Sequence, residues 1–239
     1  VITTDELEPF FNSLIRYKAQ YLSARTINFS FIHDNFYGRD IQEKIRQCII
    51  YAYINWQTEF VLIGGDADIV PYRGLWGEAI DHTGTILQDD VIPSDLYYAG
   101  LDDSWDLDDD NIYGEDSAHS IGDEADFFAE VYVGRAPVEN KVEIGTFINK
   151  VISFETTEKP KKILLHQSGI NTNNEPDSSV IPEQCAKWIP STYEITKLYQ
   201  LNETITSSTW MNHFSNNNLI VEHTGNGEFD QYYVSWPTQ

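Results

Sequence analysis

The chain has 239 residues, of which 41% are hydrophobic and 13% aromatic, enough to bury a core in one large domain or two small ones and too apolar for a disordered segment. Fifteen Lys and Arg against 38 Asp and Glu give a formal net charge of −23 and a pI of about 4.3, which repels nucleic-acid phosphates and anionic lipid and favours cations and basic substrates. No apolar run reaches the roughly 18 residues of a membrane span, so no membrane insertion is expected, and Val1-Ile2-Thr3-Thr4 carries no signal-peptide pattern, as a mature or trimmed chain would also lack.

Residues 1–3 predict a short strand, and Thr3-x-x-Glu6 fits a capping box before Leu7, Phe10, Phe11, Leu14 and Ile15 at helical spacing. A strand is expected over Thr26–Ile32. Asp40 is placed to cap a helix whose stripe is Ile41, Ile45, Cys48, Ile49 and Ala52. Phe60-Val61-Leu62-Ile63, stopped by Gly64-Gly65, reads as a strand buried on both faces. Residues 66–130 break this rhythm with turn residues, aromatics and carboxylates, and predict a long acidic loop, functional or stabilised by ions. An edge-like strand over Glu130–Gly134 and a helix over 138–156 follow.

Pro160-Lys161-Lys162 marks a seam, giving a first α/β subdomain over 1–158 and a second over 159–239. Beyond it the pattern restarts with strands at Ile163–Leu165, Tyr193–Leu198 and Leu219–His223 and helices over 179–188 and 206–216. Strands alternating with amphipathic helices predict parallel sheets. Three strands and two helices do not complete a doubly wound layer, so further chain is expected downstream.

Cys48 and Cys185 lie among apolar neighbours and read as buried, inert thiols rather than reactive or bridged ones. Asp66 and Asp68, after the double glycine, either cap a turn or line a site at the sheet edge. Asp102, Asp103, Asp106, Asp108, Asp110 and Glu115 are dense enough to need neutralising, and calcium takes six to eight oxygen ligands from such loops. Asp106-x-Asp108-x-Asp110 alternates like a calcium loop, though its glycine and glutamate offsets are not those of an EF-hand; a solvated acidic surface is the alternative. Arg135 is expected in a structural ion pair with the acidic loop. Leu219–Gly227 runs a buried strand into a glycine-rich turn, where backbone N–H groups can hold an oxyanion and His223 is a candidate base. No phosphate loop, Gly-x-Gly-x-x-Gly or zinc-spaced Cys/His set is present.

Five runs in order resemble the gingipain-like cysteine peptidases: Tyr37–Arg46, Phe60–Pro71, Ser94–Tyr98, Val133–Arg135 and Ser153–Glu155. The resemblance implies a caspase/gingipain-like α/β fold of two side-by-side subdomains with mainly parallel sheets, the second incomplete in this chain. It also implies a secreted or cell-surface cysteine endopeptidase acting on peptides or proteins, with structural calcium. The family's histidine lies in a Thr-Gly-His-Gly turn; here that turn is Thr224-Gly225-Asn226-Gly227. Asparagine cannot accept and return a proton near neutral pH. Asn226 is therefore an engineered replacement, a natural loss in a pseudoenzyme, or a site whose role has passed to His223. The resemblance puts backbone oxyanion donors at Gly225 and Gly227. It puts the nucleophilic cysteine on chain beyond Gln239, on the same polypeptide or on a C-terminal fragment as partner, and not at Cys48 or Cys185. In the arginine-specific members an acidic residue in the loop after the second subdomain's first strand reads the basic side chain, so Asp177 and Glu175 become specificity candidates, with helix capping as the alternative for Asp177. The glutamate that assists the family's histidine is absent near Ser168-Gly169.

Overall fold

A computed structural model describes residues 1–80, 84–115, 123, 125–168, 179–200, 205–225, 227–228 and 231–232. The chain forms two compact units, Val1–Glu155 and Thr156–Gln239. In the first, a parallel sheet has the order β2-β1-β3-β6, with β1 at Ile2–Thr3, β2 at Ile27–Asn28, β3 at Phe60–Gly64 and β6 at Tyr132–Ala136. Helices α1 (Asn12–Lys18), α2 (Phe29–Asn35), α3 (Ile41–Trp56) and α4 (Lys141–Thr156) accompany it.

The cap on α3 is as expected: Asp40 accepts a hydrogen bond from the Glu43 amide at 2.8 Å, and Ile45, Cys48, Ile49 and Ala52 are buried. Three local expectations are overturned. Thr3 does not cap a helix, because it lies inside the sheet, fully buried, with its hydroxyl donating to the Gly64 carbonyl; the helical segment starts instead with a 3-10 turn at Glu8–Phe11. The strand expected to Ile32 ends at Asn28, whose side chain accepts from the Phe31 amide at 2.9 Å and starts α2. The segment 66–130 is not all loop, since β4 (Arg73–Ile80) and β5 (Ile86–Ser94) pair as an antiparallel hairpin.

Residues 97–113 of that segment are held on the core of the first unit by their aromatics. Tyr97, Tyr98, Trp105 and Tyr113 are buried, and the Arg73 guanidinium lies 4.0 Å from the Tyr113 ring centre while pairing with both Asp40 carboxylate oxygens at 2.7 and 2.8 Å. Arg135 is a structural hub. It binds Asp95 through two nitrogens at 2.7 and 2.6 Å and reaches the carbonyls of Gly65, Asp66 and Val70. Its partner therefore precedes the dense run of carboxylates.

In the second unit, β7 (Lys162–Gln167) lies between β8 (Glu194–Tyr199) and β9 (Ile220–Thr224), all parallel. Leu164, Leu198 and Trp210 pack together with Val221; Ile163, Leu165 and Tyr199 form a separate cluster with Ala186 and Ile189. These two clusters receive α6 (Ser207–Phe214) and α5 (Val180–Trp188). A short antiparallel pair, β10 (Gly227–Glu228) with β11 (Gln231–Tyr232), follows the turn after β9. No helix among the described residues is long and apolar enough to cross a membrane.

Candidate functional site

The glycine-rich turn leaves the C-terminal end of β9, beside the end of β7. Parallel register sets His166 opposite His223. Their Nδ1 atoms are 2.6 Å apart, with the rings nearly parallel at 13°. One Nδ1 must carry a proton and the other accept it at that separation. Trp210 of α6 covers the pair, its ring centre 4.3 Å from that of His166. His166 is fully buried. The pairing register continues past the strands, where the Ser168 amide donates to the Thr224 carbonyl at 3.0 Å.

Gly225 is required by this packing. A Cβ at that position would lie 1.9 Å from Ser168 Oγ and 3.0 Å from His223 Nε2. The backbone of the turn is thus seated on the serine and on the edge of the imidazole, which leaves no space for a larger residue. Gly227 begins β10, in register with Tyr232. Asn226, Asp177 and Glu175 lie outside the described residues. The sequence reading missed His166 and Ser168, because residues 57 apart in the chain meet only through strand register.

The two thiols differ. Cys48 is buried in α3, and burial pushes its thiol up to about 12, so it is an inert core residue. Cys185 is exposed, contrary to expectation: α5 turns Pro182 and Ala186 inward and leaves the thiol outside.

The acidic segment gathers into three groups, in each of which one oxygen per residue lies within 4.8 Å of the others: Asp102, Asp103 and Asp126; Asp106, Asp108 and Asp123; Asp108, Asp110 and Glu115. All six residues predicted as ligands occur in these groups, and Asp123 and Asp126, separated from the dense run, join them. The first group has the better-defined donor. Asp126 is 5% exposed; its Oδ1 accepts from the Phe128 amide at 2.8 Å, while Oδ2 is buried without a hydrogen bond. A Cβ on Gly100 would meet that oxygen at 2.5 Å. Burial first, and then Glu130, Asp102 and Asp103, push the Asp126 carboxyl above its usual range. The neighbouring loop is held from both sides: Arg46 donates to the carbonyls of Tyr97, Gly100 and Asp103, and Glu130 accepts from the Leu101 amide. A fixed, buried oxygen facing two further carboxylates fits a hard cation. In the second group Asp106 is already paired with Arg39 at 2.6 Å.

The model of peptidase family C25 matches residues 1–235. The chain belongs to peptidase family C25, the gingipain-like cysteine peptidases. Its fold is similar to that in a solved complex of the Porphyromonas gingivalis RgpB pro- and mature domains, with a TM-score of 0.57 and 17% identity over 95% of this chain and 47% of that one. The chain thus spans about half the length of that solved chain, and at this identity the likeness carries the fold alone. No curated protein matches. The C25 match includes the turn after β9.

Proposed function

We propose that this C25 chain is the framework of a cysteine endopeptidase domain in which position 226 is the proton-transfer position, and that with asparagine there it does not turn over. The observation that carries this reading is the commitment of His223 to His166: its Nδ1 is used inside the sheet, and its other edge lies under Gly225. Moving such a ring by a few ångströms to serve a substrate would break the pair, and catalysis tolerates little misplacement. The nucleophile is neither the inert Cys48 nor Cys185 on the outer side of α5, so this reading puts it outside the 239 residues. In the active form a thiolate attacks the scissile carbonyl, an imidazole at 226 protonates the leaving amine, and backbone N–H groups at Gly225 and Gly227 hold the oxyanion.

Cleavage after basic residues, read by Asp177 with Glu175, is part of the same proposal and is supported by the strongly acidic composition. So is secretion or surface display. Calcium belongs to it as a structural ion: Asp102, Asp103 and Asp126 would hold it, and its positive charge would offset three clustered carboxylates. The test is peptide cleavage under reducing conditions with calcium, using the protein that carries the cysteine. Asn226→His is expected to cleave Arg- and Lys-containing peptides and the Asn226 form is not; a silent Asn226→His protein would overturn the reading. Asn226 also favours a second reading, a calcium-stabilised pseudopeptidase that binds basic peptides. Tight binding of such peptides by an Asn226→His protein that never cleaves them would establish it.

A further inference from the structure

The first unit contains an open cleft of about 840 Å³, a size that suits a small molecule, and the peptidase reading does not use it. Residues 35–39 lead into α3, which contributes Glu43, Arg46 and Gln47 to the walls, and the segment from Tyr97 to Tyr113 supplies the rest. Phe36, Tyr97, Trp105 and Tyr113 give the cleft an aromatic lining. The Tyr97 ring centre lies 5.7 Å from that of Trp105 and 5.8 Å from that of Tyr113, both edge to face.

Arg46 sets the chemistry. It is 8% exposed, and its guanidinium bonds only to neutral groups. Nε donates to the carbonyls of Tyr97 and Gly100, and Nη2 to those of Gly100 and Asp103. No carboxylate among the described residues pairs with it. Nη1 makes no hydrogen bond, and since it is not sealed from solvent it opens to the cleft that Arg46 lines. An acceptor placed there would form a charge-assisted hydrogen bond.

Geometry and charge select that acceptor. A carboxylate offsets its desolvation on a guanidinium best through a two-nitrogen fork, and here only one nitrogen is left. The walls also carry three carboxylates, Glu43, Asp106 and Asp109, against the two guanidiniums of Arg39 and Arg46, which opposes an anion. A cation has no better place, because Arg39 already binds Asp106 at 2.6 Å and Glu43 and Asp109 at 3.1 Å. A neutral carboxamide meets both demands: its carbonyl oxygen accepts from Nη1, and its N–H groups find carboxylate acceptors on the same walls.

We propose that this cleft is a binding site for a small uncharged aromatic carboxamide, its carbonyl oxygen accepting from Arg46 Nη1 and its ring packed on the aromatic lining. The test titrates the intact chain with three probes of one shape and different charge: benzamide, benzoate and benzamidine. Trp105 reports on the site, because its indole N–H donates to the Gly100 carbonyl that Arg46 also holds. Benzamide is expected to shift the Trp105 indole signal saturably in NMR spectra, with both charged probes bound at least about tenfold more weakly. Ser104→Phe, at an exposed position on the cleft wall, should abolish the benzamide shift without changing the melting temperature. Tighter binding of benzoate or of benzamidine, no saturable shift with benzamide, or a benzamide shift that persists in Ser104→Phe would each overturn the proposal.

Discussion

His166 and His223, partners in parallel register on β7 and β9, meet through Nδ1 atoms 2.6 Å apart beneath Trp210. The pair belongs to the sheet and lies three residues before position 226.

Replacing one member leaves a buried imidazole nitrogen without its partner. His166→Leu and His223→Leu should each cost about 1–3 kcal/mol, whereas the double replacement should cost clearly less than the sum. Urea denaturation of the four proteins measures this. Additive losses would mean that the two rings do not share a proton.

Gly225 touches Ser168 and the His223 ring so closely that alanine must displace the turn. Gly225→Ala should shift the imidazole signals of both histidines in NMR spectra and lower stability by roughly 1–3 kcal/mol. Gly225→Ala with Ser168→Gly should recover part of the loss, since the nearest atom is then gone. Unchanged imidazole signals in Gly225→Ala would show that the turn does not rest on the ring.

If calcium sits among Asp102, Asp103 and Asp126, adding it should raise the melting temperature by several degrees, by mass action on the folded state. Asp126→Asn should remove most of that response, while Asp109→Asn, outside all three carboxylate groups, should not. A calcium response that survives Asp126→Asn would move the ion to another group.

Burial works against ionised Asp40, yet the hydrogen bonds from Arg73 and from the Glu43 amide hold its carboxyl below the usual range. A depressed folded-state value stabilises the protein above the unfolded value, about 4, and that contribution is lost as pH falls through the folded value. Asp40→Asn should therefore flatten the acid side of the stability curve below pH ~4. An identical acid profile in the variant would show that the pair with Arg73 contributes nothing there.

The parts of the fold legible in the sequence were those dictated by local periodicity. The stripe Ile45, Cys48, Ile49 and Ala52 identified α3, and the apolar run before Gly64 identified β3. The β4–β5 hairpin escaped because exposed Ile86, Leu87, Val91 and Ile92 are interleaved with Gln88, Asp89 and Asp90, without the apolar-in, polar-out alternation of a strand against a core. Asn28 ended β2 early by capping α2, a competition between side-chain and sheet hydrogen bonds that composition alone does not decide. At the site, the turn was visible as a motif. His166 and Asp126 were not, because their contacts depend on register and on the path of a long loop.

Kinetics of the cysteine-bearing protein on an arginyl peptide, with four residue combinations at 226 and 223, most directly tests which of the two positions moves the proton. Asn226→His should cleave, Asn226→His with His223→Phe should keep kcat/KM within about tenfold, and both Asn226 forms should be silent. Turnover by the Asn226 form that disappears in His223→Phe would contradict this and assign proton transfer to His223.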